Sequence, residues 1–419
     1  MIGRFAVPMG ALLVLFAGCE AVTESDETSY EVYDSLGITV SMSHGPAWSA
    51  ESGWTVSTAP LVVIGSRDGG DPNSTFGRIG GVSVLSDGRI AVADDQASAI
   101  RVFAGDGTFL NSLGGPGEGP DEFQRLDRIA RIHGDSIVAR DVGAFKTVTF
   151  AADGSGFRTT RGPSMSWNGL RAVYVAGWEA DGTALVSHTP QRSDYPPGEA
   201  IVSNEWHRFS PEGVHLGMVG SLPNMRTNNT GEGAAPLTLS SRARIAGASE
   251  GFWHAFPESV EIVHYGADGV DRIVRTSYVP PEVPRDLRDS YTEWFASVNR
   301  EAVRDAPAEI RELVEARIAQ LTFADRFAPF TRLLLSAEGH LWLENHESIA
   351  EMRAPDWSWL DGSATSSWTV LDPDGRWLGS VELPTGLELR AVSGDRLVGV
   401  TTDEFDVQYL AVHELVRTP

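Results

Sequence analysis

The stretch Asp87–Gly107, "DGRIAVADDQASAIRVFAGDG", decides the fold. It opens on an Asp-Gly turn, passes through the alternating apolar segment "RIAVAD", turns, passes through a second apolar segment, and ends on another Asp-Gly turn. Alternation of period two between Gly- and Asp-containing turns is the pattern of successive β-hairpins. The first turn recurs as Gly134-Asp135 and Asp181-Gly182, at intervals of 47 residues, and again as Glu250-Gly251, Glu338-Gly339 and Gly394-Asp395, which makes six inner hairpins. In the compact units the second turn lies 19 residues after the first, as in "TFAADG", and the same signature recurs as "RFSPEG", "HYGADG" and "VLDPDG". Phe103, Phe150, Phe209, Tyr265 and Leu371 each stand four residues before the glycine of these five outer turns.

The mismatch of six inner hairpins and five outer ones is informative. Each outer hairpin feeds a strand that tends to end in an apolar-Gly pair, as in "FLNSLG" and "VHLGMVG". The segment "LVVIG", Leu61–Gly65, has that form with no hairpin before it, and the last unit, "QYLAVHELV", stops without a fourth strand. A ring in which the N-terminal strand completes the C-terminal blade accounts for both, and predicts an all-β, six-bladed β-propeller with four-stranded blades. The glycine-rich stretch "GGPGEGPDEF", Gly114–Phe123, then becomes an inter-blade connection, matched by the run that ends at Phe76. A phosphate cradle would need a helix directly after it, and here a strand follows. Phe123 is expected to plug the gap between adjacent blades.

Units of this form resemble NHL-type repeats, and "GEGPDEF" after a blade resembles the bacterial six-bladed propeller lipoproteins. The resemblance runs from about Leu61 to the C-terminus and is strongest in the first two blades. It implies the fold, and little about function, because propellers host many unrelated activities.

Outside the repeats, residues 1–18, "MIGRFAVPMGALLVLFAG", read as a secretory signal whose apolar run is too short to span a bilayer. "FAGC" resembles a bacterial lipobox, although Phe16 departs from the usual aliphatic residue, and Cys19 is the only cysteine in the chain. Cys19 is therefore the expected lipidation site. Its acyl chains would hold the protein on a bilayer of the cell envelope, the outer membrane by resemblance to enterobacterial sorting, facing the periplasm or the exterior. Residues 19–35 are acidic and poor in aliphatics, and read as a flexible tether to a monomeric propeller over 36–419. A formal charge of −24 makes nucleic acid and anionic headgroups poor partners.

Several motif matches carry no chemistry. "GASEG", Gly247–Gly251, has the spacing of a nucleophile elbow, but Ser249 enters an inner hairpin. Asn345-His346-Glu347 lacks the second histidine of a zincin, and "DPDG" at Asp372 reads as a type I turn. A more promising set comes from aligning the ends of the second strands, which gives Asp94, Asp141, His188, Pro257, Asn345 and Thr401, with Asp95, Arg140, Glu344, His346 and Asp403 beside them. These residues are expected to ring one mouth of the channel and to bind a ligand there. The plain alternative is that the Asp of "VAD" bonds its own turn backbone. Metal-dependent lactonases and lyases on six-bladed propellers hold a divalent ion in the channel. By that resemblance Asp94, Asp141, Glu344 and Asn345 are candidate calcium ligands, although no spacing fixes a metal set and no catalytic residue can be named. Finally, residues 281–323 interrupt the repeat between blades four and five with two amphipathic helices. They are expected to lie over the same mouth, with Trp294 at its rim. The function expected is ligand binding, of a saccharide, peptide or partner protein, with a calcium-dependent hydrolase or lyase as the alternative.

Overall fold

The computed structural model describes residues 29–417, apart from 50–51, 68–70, 163–165, 168–169, 172, 232–233, 241 and 346–365. Cys19, the signal segment and His346 lie outside the described residues. Six sheets, each antiparallel through the strands of its own blade, follow one another along the chain, each blade beginning with an inner strand: Ile79–Val84, Leu126–Arg131, Val173–Trp178, Arg244–Gly247, Arg332–Leu335 and Glu388–Ser393. These are blades one to six.

Ring closure takes the expected form. Of the N-terminal strands β1 (Tyr30–Ser35), β2 (Ile38–Ser43), β3 (Trp54–Val56) and β4 (Val62–Ile64), the last pairs antiparallel with the long C-terminal strand Gln408–Arg417. Val62 lies opposite Val412 and Ile64 opposite Leu410, while β3 pairs with the end of the same strand, Trp54 opposite Arg417. The hairpin β1–β2 does something the sequence did not suggest. β2 runs parallel to the outer strand Gly269–Thr276 of blade four, with Thr39 opposite Arg272, and extends that blade to six strands. Tyr30–Ser35, the end of the stretch read as a tether, is therefore strand. Five of its six residues are exposed, which is why its composition resembles a linker. Between β2 and β3 the chain crosses blade five, where the Ala47 and Trp48 amides donate to the Trp377 and Leu378 carbonyls at 2.9 and 2.7 Å.

The core is divided among the blade interfaces. Buried apolar clusters fill the gaps between blades one and two, two and three, and so on round to six and one. Phe76 and Phe123 plug the gaps flanking blade one as expected, at 5% and 1% exposure. Gly114 has φ +68°, and a Cβ there would strike the Phe123 ring. The connection is further held by Lys146, a buried residue whose ammonium donates to the Gly119 carbonyl at 2.6 Å.

Helix α1 (Arg285–Ala302) and helix α2 (Ala308–Ala319) form the insertion, clasped by Arg300–Glu315 at 2.7 Å and by Tyr291 against Phe295 and Phe323. The insertion docks on the connection between blades three and four. The Thr238 amide donates to the Thr322 carbonyl at 2.7 Å, and Val283, Leu287 and Phe327 pack with Leu239 and Trp294. No residue of α2 is buried, and Leu313 is 66% exposed.

Blade four carries a pH-sensitive core group. His254 is 4% exposed, lies edge-on to Trp206 and Tyr265, and has Nε2 3.1 Å from the Pro223 carbonyl. Burial pushes its imidazole down to about 4, against the partial support of that carbonyl. An unfolded histidine titrates near ~6.5, so as pH falls from there to about 4 the unfolded chain takes up a proton that the folded chain refuses. Stability should be flat above about pH 6.5 and drop by about 3 kcal/mol across that window. Urea unfolding of the protein and of His254→Gln between pH 7 and pH 4 checks this. The variant should lose much less, and an equal loss in both would remove His254 as the cause.

Candidate functional site at the channel mouth

The structure separates the sequence-predicted ring into anchors and ion pairs. Asp94 is fully buried, and its carboxylate accepts the amides of Gly77, Arg78 and Ala97 at 3.0, 3.2 and 3.0 Å, with Arg101 Nη1 at 3.1 Å. Asp141, equally buried, accepts the amides of Gln124, Arg125, Gly143 and Ala144 at 2.9 to 3.1 Å. Burial alone would raise the Asp141 carboxyl, but these donors outweigh it and hold the group below the usual range. Three of the amides recur at the same offsets, 17 and 16 residues before the aspartate and three after it. Each aspartate ties its own turn to the start of its own blade's inner strand, at the point where the Phe76 or Phe123 connection ends.

Neither oxygen pair is left for a ligand, so Asp94 and Asp141 leave the candidate ligand and calcium sets. Asn345 leaves them for a similar reason: Nδ2 donates to Ser367 Oγ at 3.0 Å and Oδ1 accepts from Thr369 Oγ1 at 2.8 Å, inside blade five. Asp403 caps its own turn, accepting from the Phe405 and Val407 amides and the Tyr409 hydroxyl at 2.9, 3.0 and 3.0 Å. His188 is buried in blade three opposite Glu205. Trp294 lies tilted against Tyr291 within the helical insertion, and no residue of either helix lines the channel.

The remaining three take part in ion pairs. Asp95 accepts Arg78 Nε at 2.9 and 2.6 Å, beside a shallow cavity of about 530 Å³ between blades one and two. Arg140 binds Asp127, with Nε to Oδ1 at 2.8 Å, and reaches the Val175 carbonyl of blade three. Glu344 accepts from Thr331 Oγ1 at 2.6 Å and lies 3.6 Å from Arg332.

The residues that sequence reasoning missed are arginines on the inner strands. Arg128 donates to the Ala176 carbonyl, Arg244 to that of Thr331, and Arg332 to that of Leu389, so each guanidinium stitches its blade to the next. Gln408 closes the circle by accepting the Ile79 amide at 2.7 Å. Burial pushes the Arg244 guanidinium down from its ordinary value, and Arg242 adds to that. Aligning the inner strands "LDRIAR", "RIAG", "RLLL" and "ELRAVS" would have shown an arginine in the first half of each.

These strands enclose a central cavity of about 870 Å³, lined by residues from all six blades. Its walls include Ser83, Arg128, Trp178, Ser249, Arg332 and Arg390. Among the described residues, no group of three or more His, Cys, Asp and Glu side chains converges in a way that could hold a metal ion.

Comparison with known proteins agrees with the architecture. Residues 73–168 match the model of a family described as a 6-bladed beta-propeller. No curated protein matches the chain. Among solved structures, a protein described as exported, from Bacteroides fragilis, is similar over 90% of this chain and 99% of its own, at 12% identity and TM-score 0.48. A domain-family member from Bacteroides vulgatus is similar over 88% and 100%, at 8% identity and TM-score 0.50. Virginiamycin B lyase from Staphylococcus aureus is similar over 87% and 100%, at 11% identity and TM-score 0.39. At these identities the likeness is one of fold. With six sheets in a closed ring and the match over residues 73–168, the chain is a six-bladed β-propeller.

Proposed function

We propose that this protein is a binding propeller of the bacterial envelope, and that its ligand binds in the central channel, in the half that ends at the inner hairpins. The observation that carries the reading is the cavity itself: about 870 Å³, contributed by every blade, and polar along its wall. A volume of several hundred Å³ with a few convergent polar groups is what small-ligand sites have in common. The envelope location rests on the signal-like residues 1–18 and on Cys19. The metal-dependent hydrolase or lyase has less support, because Asp94, Asp141 and Asn345 are spent on backbone and sheet bonds.

Filling the channel tests the reading. Ser83 lines the cavity and is 8% exposed, and Ser83→Trp places an indole across it. Oligosaccharides and short peptides that raise the melting temperature of the unmodified protein should fail to do so for Ser83→Trp. Compounds that bind the variant as tightly as the parent would place the site elsewhere.

A further inference from the structure

The wall of the channel reverses the charge of the chain. The protein has 33 Lys and Arg against 57 Asp and Glu, yet the cavity is lined by Arg128, Arg131, Arg332 and Arg390 against Glu338 alone. Arg131 sits at the hairpin end and is paired with Asp135 at 2.7 Å. Stitching accounts for Arg128 and Arg332, whose guanidiniums hold carbonyls of the next blade.

Arg390 has no such duty. Its Nη2 donates to Glu388, two residues back on its own strand, at 2.8 Å, and its Nε is buried with no partner among the described residues. Glu388 is shared with Arg332, 3.4 Å away, which also has Glu344 at 3.6 Å, so Glu388 is the one carboxylate paired with Arg390 and it is divided between two guanidiniums. Burial pushes the Arg390 guanidinium down from its ordinary value, and neighbouring Arg332 pushes the same way, against Glu388 and Glu344. Holding a partly desolvated cation beside a like charge costs stability, and an arriving anion would offset that cost. The planar guanidinium fork suits oxyanions, which it can grip through two parallel N–H groups. Ser83, Ser249, Ser336 and Ser393 line the cavity from four different blades, and small hydroxyl-bearing residues suit a polyhydroxylated ligand.

We propose that Arg390, with Arg332 beside it, forms an oxyanion subsite in the central channel and that the ligand is an acidic saccharide, its carboxylate or sulfate on the Arg390 guanidinium and its hydroxyls toward the serines. This rests on the reading of the channel as the ligand site.

Calorimetric titration with trigalacturonate and with the neutral trisaccharide maltotriose, at low and at high salt, tests it on the full described fold. Trigalacturonate should bind, lose affinity as salt screens the contact, and bind roughly tenfold or more weakly to Arg390→Gln, while maltotriose binds poorly to both. Arg390→Lys, which keeps the charge and removes the fork, should fall between. If Arg390→Gln does not fold, the salt dependence and the comparison of the two sugars on the unmodified protein decide. Equal binding of the two sugars, abolished by Ser83→Trp, would overturn the anion subsite and leave the channel reading standing. Binding indifferent to both Ser83→Trp and Arg390→Gln would overturn both. Failure of the uronate to bind at low salt would overturn the subsite as stated.

Discussion

Ile64→Asp should open the ring. Ile64 is 3% exposed and packs with Phe76, Ile79, Phe103, Val398 and Leu410, so its side chain spans the seam between the last blade and the first. Deleting a buried isoleucine alone costs about 2–5 kcal/mol, and an unpaired carboxylate in its place adds a desolvation penalty of several more. Against a total stability of about 5–15 kcal/mol, the sum is enough to unfold the domain or to leave β4 detached. Val63, the next residue on the same three-residue strand, points outward at 53% exposure, and Val63→Asp should change stability by about 1 kcal/mol or less. Urea unfolding of the two variants side by side is the measurement. Similar losses in both would mean that the seam does not depend on this strand.

Asp141→Ala is the second large effect. It strips acceptors from the amides of Gln124, Arg125, Gly143 and Ala144, in a place where water does not replace them. A buried donor left unpaired costs about 1–3 kcal/mol, and members of one network do not add, so a loss of about 3–5 kcal/mol is expected. Asp141→Asn keeps one oxygen and should lose less. The remaining folded protein should bind trigalacturonate with unchanged affinity. Lost affinity at intact stability would return Asp141 to the ligand set and undo its assignment as an anchor.

The repeat was legible because its signals are local. A turn glycine, an alternating run and an aromatic at fixed distance need no knowledge of what lies across the chain, and "LVVIG" could be assigned by what it lacked. The positions of Asp94 and Asp141 were legible too, but their use was not. Whether a carboxylate faces a channel or its own backbone depends on amides 16 and 17 residues earlier, Arg78 and Gly77 for Asp94, and spacing does not say where those amides point. The arginines are not legible in this way, because a charge on an inner strand breaks the apolar alternation by which the strand is recognised. The apolar residues Ile310 and Leu313 misled in the opposite direction, since their stripe on α2 suggested packing and both are exposed. Tyr30–Ser35 was missed because an added outer strand with five exposed residues has the composition of a linker.

The strap formed by β1 to β4 also sets an order of assembly. Apart from the hairpin's own pairing, the strand partners of this segment lie at residues 269–276 and 408–417, with blade five in between. β3 and β4, which leave the ribosome before any blade, are thus the last strands to find their places. Until the C-terminal strand exists, β4 has nothing to pair with and the seam around Ile64 stays exposed, because contacts this distant in sequence must wait for the intervening blades. A chain that is truncated or stalled short of residue 408 would carry two unfinished blade edges at once, and those are the surfaces on which such propellers should aggregate first.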